Sequence, residues 1–219
     1  MKYFSKDYIQ FFEELEKNNN KEWFHNNKKR YEQFVKKPLK QFVTDVVVEL
    51  QKLDSEIQID PSKCIKRINR DIRFSKDKTP YKIHSFVHIY KGDKMEPLTA
   101  IAFQIGAKDI GIMNGFYMIP KERLISIRDK IKADTKTFQN LYNAKAFTEK
   151  YGKIEGEANK TVPPEYKKTF EQEPLIANKQ FYYIKEFKSD IILTDKLLPT
   201  IIDYYLAAKP LNDFFTLYE

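Results

Sequence analysis

Residues 84–117 read HSFVHIYKGDKMEPLTAIAFQIGAKDIGIMNGFY, and this stretch decides the fold. Side chains of alternating character begin at His84, and their period of two predicts a strand that runs to Tyr90. Two further apolar runs, 98–105 and 110–117, predict a second and a third strand. The predicted turns between the strands cover residues 91–94 and 106–109. Because short turns join neighbouring strands, we expect an antiparallel meander.

Helical patterns precede the strands over residues 5–54. Ser5 is predicted to cap a first helix, and Asn19, with a Glu three residues on, resembles a capping box that opens a second. Pro38 is expected to end or kink that second helix. Apolar residues then recur at spacings of three and four over 39–53, which is typical of an amphipathic helix with one face against a core.

Further elements follow the strands. Pro120 opens a helix, and Asp195 is expected to cap the last one, which Pro210 should end. The predicted elements are, in order, the Pro120 helix, a helical stretch at 134–150, an irregular region at 151–180 with room for a short strand, a strand at 181–187, a helix at 196–208 and a final apolar turn at 211–217. The chain therefore reads as an α+β protein, an antiparallel meander covered by N-terminal and C-terminal helices.

We expect one α+β domain over residues 1–219, because no repeat or low-complexity linker divides the 219 residues. Its parts would be a helical part at 5–54, a sheet core at 65–117 and a mixed helical part at 120–219. A single Cys excludes a disulfide framework and any Cys-cluster metal site. The mean hydropathy of −0.62 and the lack of a long apolar run predict a cytoplasmic protein with no membrane partner.

Positive charge is concentrated in one short part of the chain. Of the formal net charge of +8, residues 63–82 carry +6, from eight Lys and Arg residues against two Asp residues. Arg67, Arg70 and Arg73 fall within seven positions, although the chain has only six Arg among 39 basic residues. Because a guanidinium binds a carboxylate or phosphate through two hydrogen bonds at once, clustered Arg suggests anion binding or internal ion pairing.

The first functional hypothesis is a site for a phosphate-bearing small molecule or a nucleic acid. If residues 65–74 were a regular strand, the favoured interpretation of this run, Arg67 and Arg73 would lie about 20 Å apart. One phosphate could not contact both, so a polyanion is favoured unless the segment bends. The candidate ligand-binding residues are Arg67, Arg70, Arg73, Lys76, Lys78, Tyr81 and Lys82, joined by Trp23, Asn27 and Arg30 of the second helix.

Two other hypotheses use the same segment. In the first, the protein is a hydrolase or transferase in which Asp71 or Asp77 acts as a base or metal ligand. No nucleotide-binding or nucleophile motif supports it, and no cofactor is expected. In the second, the Arg cluster is internally ion-paired and the protein is a structural or interaction module.

Metal and thiol chemistry have weak signals. His84 and His88 would lie about 13 Å apart on one strand face, too far for one metal, so no metal site is expected. Cys64 is alone and is more typical of a small buried residue than of a nucleophile. The aromatic C-terminal segment, residues 204–218, is interpreted as core or as a dimer contact, and the oligomeric state stays open.

Three motifs resemble one known family. They are NNNKEWF at residues 18–24, RINRDIRFSKDKTPYK at 67–82, and GFY at 115–117 before a Pro-led helix. Together they are similar to the DUF2461 family of bacterial and fungal proteins. The resemblance implies a single α+β domain in which the Arg block and the Trp segment belong to one recurring design, and it brings no activity.

Overall fold

The computed structural model describes residues 1–91 and 98–216 and contains one four-stranded sheet. Its strands are β1 (His84–Lys91), β2 (Leu98–Gly106), β3 (Asp109–Phe116) and β4 (Phe181–Lys188). They lie in the order β1-β2-β3-β4 and every neighbouring pair is antiparallel. The predicted meander and the α+β class are therefore confirmed. Most of the turn predicted at 91–94, and the end of the final apolar turn, lie outside the described residues.

Helices precede the first strand in sequence and follow the third and fourth strands. They are α1 (Lys6–Lys17), α2 (Lys21–Asn26), α3 (Lys28–Arg30), a π-helix (Tyr31–Lys36), α4 (Lys37–Leu53), α5 (Pro61–Cys64), α6 (Lys121–Ala133), α7 (Thr135–Asn143), α8 (Lys145–Tyr151), α9 (Lys167–Gln172) and α10 (Leu197–Phe215). Three 3-10 turns add Pro164–Tyr166, Pro174–Ala177 and Ser189–Leu193. No helix in the described ranges is long and apolar enough to cross a membrane.

The capping predictions have mixed outcomes. Ser5 caps α1 as predicted, because its side chain accepts a hydrogen bond from the Asp7 amide. The prediction of a capping box at Asn19 is wrong, because Asn20 caps α2 by accepting a hydrogen bond from the Trp23 amide. Asp195 does not cap α10, whose first flanking residue is Lys196 and lacks a side-chain cap.

Neither proline ends a helix where a break was expected. Pro38 stands in the first turn of α4, directly after the π-helix, and the helical path continues through it. Pro210 lies inside α10, which continues to Phe215 instead of ending at 208. In the irregular region 151–180 the structure has α9 and two isolated bridges, Glu155 to Tyr182 and Ala158 to Asn178, in place of a short strand.

The helices pack on one face of the sheet. Phe42 of α4 lies 5.7 Å, centroid to centroid, from Phe103 of β2, and Phe147 of α8 lies 4.9 Å from Tyr183 of β4. Phe215 of α10 completes this layer against β3 and β4. The central residues of this face are fully buried, as in the row Val87, Phe103 and Ile112. The side chains of the opposite face are only half-buried.

Candidate functional site

The basic segment, residues 63–82, doubles back on itself beside β1. The Lys66 amide donates to the Phe86 carbonyl at 2.9 Å and joins the segment to the sheet edge. Two hydrogen bonds, Arg70 N to Pro80 O and Lys82 N to Ile68 O, each 2.9 Å, close its two arms. The segment is extended there but forms isolated bridges rather than a strand, and it bends beyond Arg70. The 20 Å separation expected of a regular strand does not apply to it.

Arg70 forms its side-chain contacts within the basic segment. Its guanidinium donates to the Asp77 carboxylate and to the Thr79 hydroxyl, and 25% of its side chain is exposed. The Thr79 amide donates to the same carboxylate at 2.9 Å. These contacts, the Thr79 amide first and then Arg70, lower the pKa of Asp77 to about 2. For Arg70, the internal-pairing interpretation describes the geometry.

Arg73 also has an internal partner, but an exposed one. Its Nη2 lies 2.7 Å from Asp71 Oδ2 and its Nε lies 3.0 Å from Oδ1, while 76% of the Arg73 side chain is exposed. The Arg73 side chain, then its amide, and the nearby charge of Arg67 lower the pKa of Asp71. A carboxylate whose pKa is lowered is a weaker proton acceptor than an ordinary carboxylate. An exposed pair of this kind exchanges partners readily, because water screens it.

Other cations of the segment have no acidic partner. Within residues 1–91 and 98–216, no ion pair or side-chain hydrogen bond reaches the charged ends of Lys66, Arg67 and Lys76, and all three are exposed. Lys78 and Lys82 donate only to backbone carbonyls, at 2.9 Å each. Burial, then the charges of Arg67 and Lys66, lower the pKa of Lys82. The positive charges are thus close enough to repel one another, a situation that a bound anion would relieve.

Phe74 is a feature of this segment that the sequence pattern did not indicate. It is 96% exposed, and the Arg73 guanidinium carbon lies 5.9 Å from its ring centroid. In a regular strand over residues 65–74, Phe74 would share a face with Ile68 and Ile72. The bend of the segment, which local pattern does not reveal, turns it to solvent.

Tyr81 lies in the packed base of the segment. Its ring stacks on Phe24 at 4.1 Å and the residue is only 8% exposed, so the ring is not open to a ligand, although Tyr81 was a candidate ligand-binding residue. Asn19 holds its backbone from both sides: Asn19 Nδ2 donates to Tyr81 O at 2.8 Å, and Tyr81 N donates to Asn19 Oδ1 at 3.1 Å. These contacts join the Trp23 helix to the basic segment.

Trp23, Asn27 and Arg30 have internal contacts. The Trp23 ring packs against Phe11 with centroids 5.6 Å apart. Arg30 Nη1 donates to Glu14 Oε2 at 2.6 Å and to Asn27 Oδ1 at 2.8 Å. The structure therefore places all three residues in the attachment of α2 and α3 to α1, with Arg30 half-exposed.

The thiol and imidazole side chains are neither clustered nor activated. Cys64 is fully buried, and that burial raises the pKa of its thiol to about 12, so it is unreactive at neutral pH. His84 and His88 lie on one face of β1, as predicted. The described part of the chain contains no group of three or more His, Cys, Asp or Glu arranged to hold a metal ion.

A buried ionic cluster was also missed from the sequence. Lys91, 5% exposed, places Nζ 3.1 Å from Asp54 Oδ2, 2.8 Å from Glu56 Oε2 and 3.5 Å from Asp213 Oδ1. Tyr205 donates to Asp54 at 2.8 Å. Burial raises the pKa of Asp54, but the hydrogen bonds from Tyr205 and Lys91 outweigh it and leave that pKa below its usual value. The cluster joins the ends of α4, β1 and α10, residues too far apart in sequence to form a recognisable motif.

Comparison with known proteins identifies the family. No curated protein and no solved structure matches the chain. The profile of DUF2461, whose description is conserved hypothetical protein, matches residues 7–214. That match spans α1 to α10 and includes both the basic segment and the Trp23 helix, so the chain belongs to the DUF2461 family.

Proposed function

We propose that the basic segment binds a phosphate-bearing polyanion. The observation that carries the proposal is the set of exposed cations without an acidic partner, Lys66, Arg67 and Lys76, in a segment of net charge +6. Lys66 and Arg67 precede the bend and Lys76 follows it, so a ligand with several phosphates could contact cations on both sides of the bend. Arg73 and Lys78 would add charge at the outer end of the segment.

Each candidate ligand-binding residue named from the sequence has a role in this proposal. Arg67, Arg73, Lys76 and Lys78 would contact the ligand, while Lys82 would add charge from the inner arm. Arg70 and Tyr81 would hold the segment in shape, and Trp23, Asn27 and Arg30 would support its base. The rigid loop around Arg70 favours binding, because a preorganised cluster of cations loses little conformational entropy when the ligand binds.

The proposal can be tested with fluorescently labelled duplex DNA of 20 base pairs. Such a duplex presents only the charge of its phosphate backbone to the basic segment. We expect fluorescence anisotropy to report binding that weakens steeply with salt, since each phosphate contact releases a counterion. The triple variant Lys66→Gln, Arg67→Gln, Lys76→Gln should bind at least about tenfold more weakly at 0.1 M salt and show a salt slope shallower by about two to three.

A control variant removes the same charge elsewhere. Lys136, Lys167 and Lys168 are exposed and lie on α7 and α9, and their triple Gln variant should retain the affinity of the wild-type protein. Equal weakening in both triple variants would mean that net charge alone attracts the DNA, and the proposal would then be wrong.

A further inference from the structure

The sheet has one face that the helices leave uncovered, here called the open sheet face. Register places two rows of residues there: Phe86 with Gln104, Gly111 and Glu186, and His88 with Ala102, Met113 and Ile184. Tyr182 of β4 extends the same face opposite Gly115. Apart from the small Ala102, which is buried, and Glu186, which is exposed, these side chains are half-buried.

The chemistry of the open sheet face is unusual for a solvated surface. An antiparallel sheet with one covered face usually exposes charged and small polar residues on the other. Here β1 carries Phe86 and His88, with Tyr90 beyond them packed partly against the core, and β4 adds Tyr182 and Ile184 before the charged Glu186. Contiguous aromatic and apolar surface of this kind is typical of a binding site.

The open sheet face lies directly beside the basic segment. The hydrogen bond from Lys66 N to Phe86 O fixes the segment along the outer edge of β1. The positive charges are also felt on the face itself, because Lys66 contributes, after burial, to the lowered pKa of His88, and Lys82 contributes likewise at His84. A row of cations therefore borders a platform of aromatic rings.

We propose that the open sheet face stacks the bases of a single-stranded nucleic acid whose phosphates contact the basic segment. This inference rests on the proposed function and specifies its ligand. Phosphates and bases alternate along a nucleic acid strand, and only a single strand offers both its charge and the flat faces of its bases. Aromatic side chains on a four-stranded sheet stack bases in a well-known mode of RNA recognition.

The dimensions and polar groups of the face suit this ligand. Three strand spacings of about 4.8 Å give a width of about 14 Å from β1 to β4. Gln104 lies over Gly111, where a Cβ atom would come within 3.3 Å of its side chain. Gln104 is half-exposed, and its amide could donate to and accept from a base edge.

Charge complementarity favours a nucleic acid over a second copy of this chain. A second copy seated on the open sheet face would bring its own segment of net charge +6 to the same neighbourhood. Repulsion between the two segments would oppose such a dimer. The same positive charge that repels a second copy would attract a polyanion.

Anisotropy with a labelled 15-nucleotide oligo(dT) or oligo(U), compared with a duplex of the same length, tests the inference. We expect the single strands to bind about tenfold more tightly than the duplex. Phe86→Leu and Tyr182→Leu keep an apolar side chain but remove the ring, and each should weaken single-strand binding by about tenfold with little effect on the duplex. Phe170→Leu, the same chemical change on α9, should leave both affinities unchanged.

The outcomes separate this inference from the proposed function. Loss of all binding, duplex included, in the wild-type protein would overturn both. Salt-dependent duplex binding with equal single-strand affinity, unchanged in Phe86→Leu, would overturn the inference alone. A dimer seen by sedimentation that Phe86→Leu dissociates would also overturn it, because a second copy would then occupy the face.

Cross-linking of the wild-type protein keeps the test independent of variant folding. An oligo(U) strand with 5-iodouridine, irradiated in complex with the protein, should attach to peptides of β1 and β4 that contain Phe86, His88 or Tyr182. Attachment confined to peptides of α6 to α9 would contradict the inference.

Discussion

The three clustered Arg residues have different environments although they are seven positions or fewer apart. Arg70 is enclosed by Asp77 and Thr79, Arg73 pairs with Asp71 in the open, and Arg67 faces solvent with no acidic partner in the described part of the chain. Residue type and spacing are the same in each case. The difference arises from the bend of the segment, which brings Asp77 and Thr79 back onto Arg70.

Arg70→Ala should therefore loosen the loop without unfolding the protein. We expect faster cleavage by trypsin at Lys76 and Lys78, because the loop loses its central donor, and a melting temperature lowered by no more than about 3 °C. Limited proteolysis and thermal unfolding measure the two effects.

Arg73→Ala is the matched control, since its ion pair is exposed and contributes little to stability. Unchanged cleavage in Arg70→Ala, or equal acceleration in Arg73→Ala, would show that the Arg70 contacts do not order the loop.

At the scale of elements, the contact between Asn19 and Tyr81 links the helical N-terminal part to the basic segment. The two hydrogen bonds use both backbone groups of Tyr81, a residue 62 positions away. Asn19→Ala should lower the free energy of unfolding by about 1–2 kcal/mol, because two part-buried backbone groups lose their partner. Hydrogen exchange should accelerate at the Tyr81 amide in particular.

Asn26→Ala provides the control for that change. Asn26 is exposed on α2, and no side-chain hydrogen bond joins it to another described residue. It should alter neither the unfolding free energy nor the exchange of the Tyr81 amide. Equal exchange rates at Tyr81 in the wild-type protein and in Asn19→Ala would contradict the linking role.

The elements show which structural features local sequence determines. The strands and the Ser5 cap depend on neighbours within a few residues, and all were predictable. The role of Asn19 was not, because its partner Tyr81 becomes adjacent only in the folded chain. Pro38 and Pro210 were misread for a related reason, since packing and position within the helix decide whether a proline ends it.

At the scale of the whole molecule, the burial of His88 predicts how stability depends on pH. Burial, followed by the charge of Lys66, lowers the pKa of His88 to about 4 from an ordinary 6.5. Between these values the unfolded chain binds a proton that the folded protein does not, so stability should be complete above pH 6.5 and fall as the pH drops toward 4. Urea unfolding at pH 7.0 and 4.5 measures the decrease, of which His88 contributes roughly 2–3 kcal/mol.

His88→Gln should reduce this decrease, because the titrating group is removed. His84, whose pKa is also lowered by burial and then by Lys82, would retain a part of it. An identical profile in the wild-type protein and in His88→Gln would contradict the assignment.

The open sheet face could not be identified from the sequence although its residues were recognised as a strand. Both sets of alternating side chains in β1 are largely apolar: Phe86, His88 and Tyr90 on one side, Val87 and Ile89 on the other. Period two distinguishes the sides but does not tell which one the helices cover. The basic segment was recognised because excess charge is visible in composition alone, whereas the exposure of Phe74 required the chain path.

The π-helix at Tyr31–Lys36 determines how far the first thirty residues are rotated relative to α4 about the helix axis. A π-turn contains one residue more than an α-turn, and each helical residue advances about 100° around the axis. Without that extra residue, Arg30 would swing away from Glu14, and Trp23 and Asn19 would lose their alignment with Phe11 and Tyr81. The extra residue of the π-helix therefore orients the N-terminal helices so that they contact the base of the basic segment.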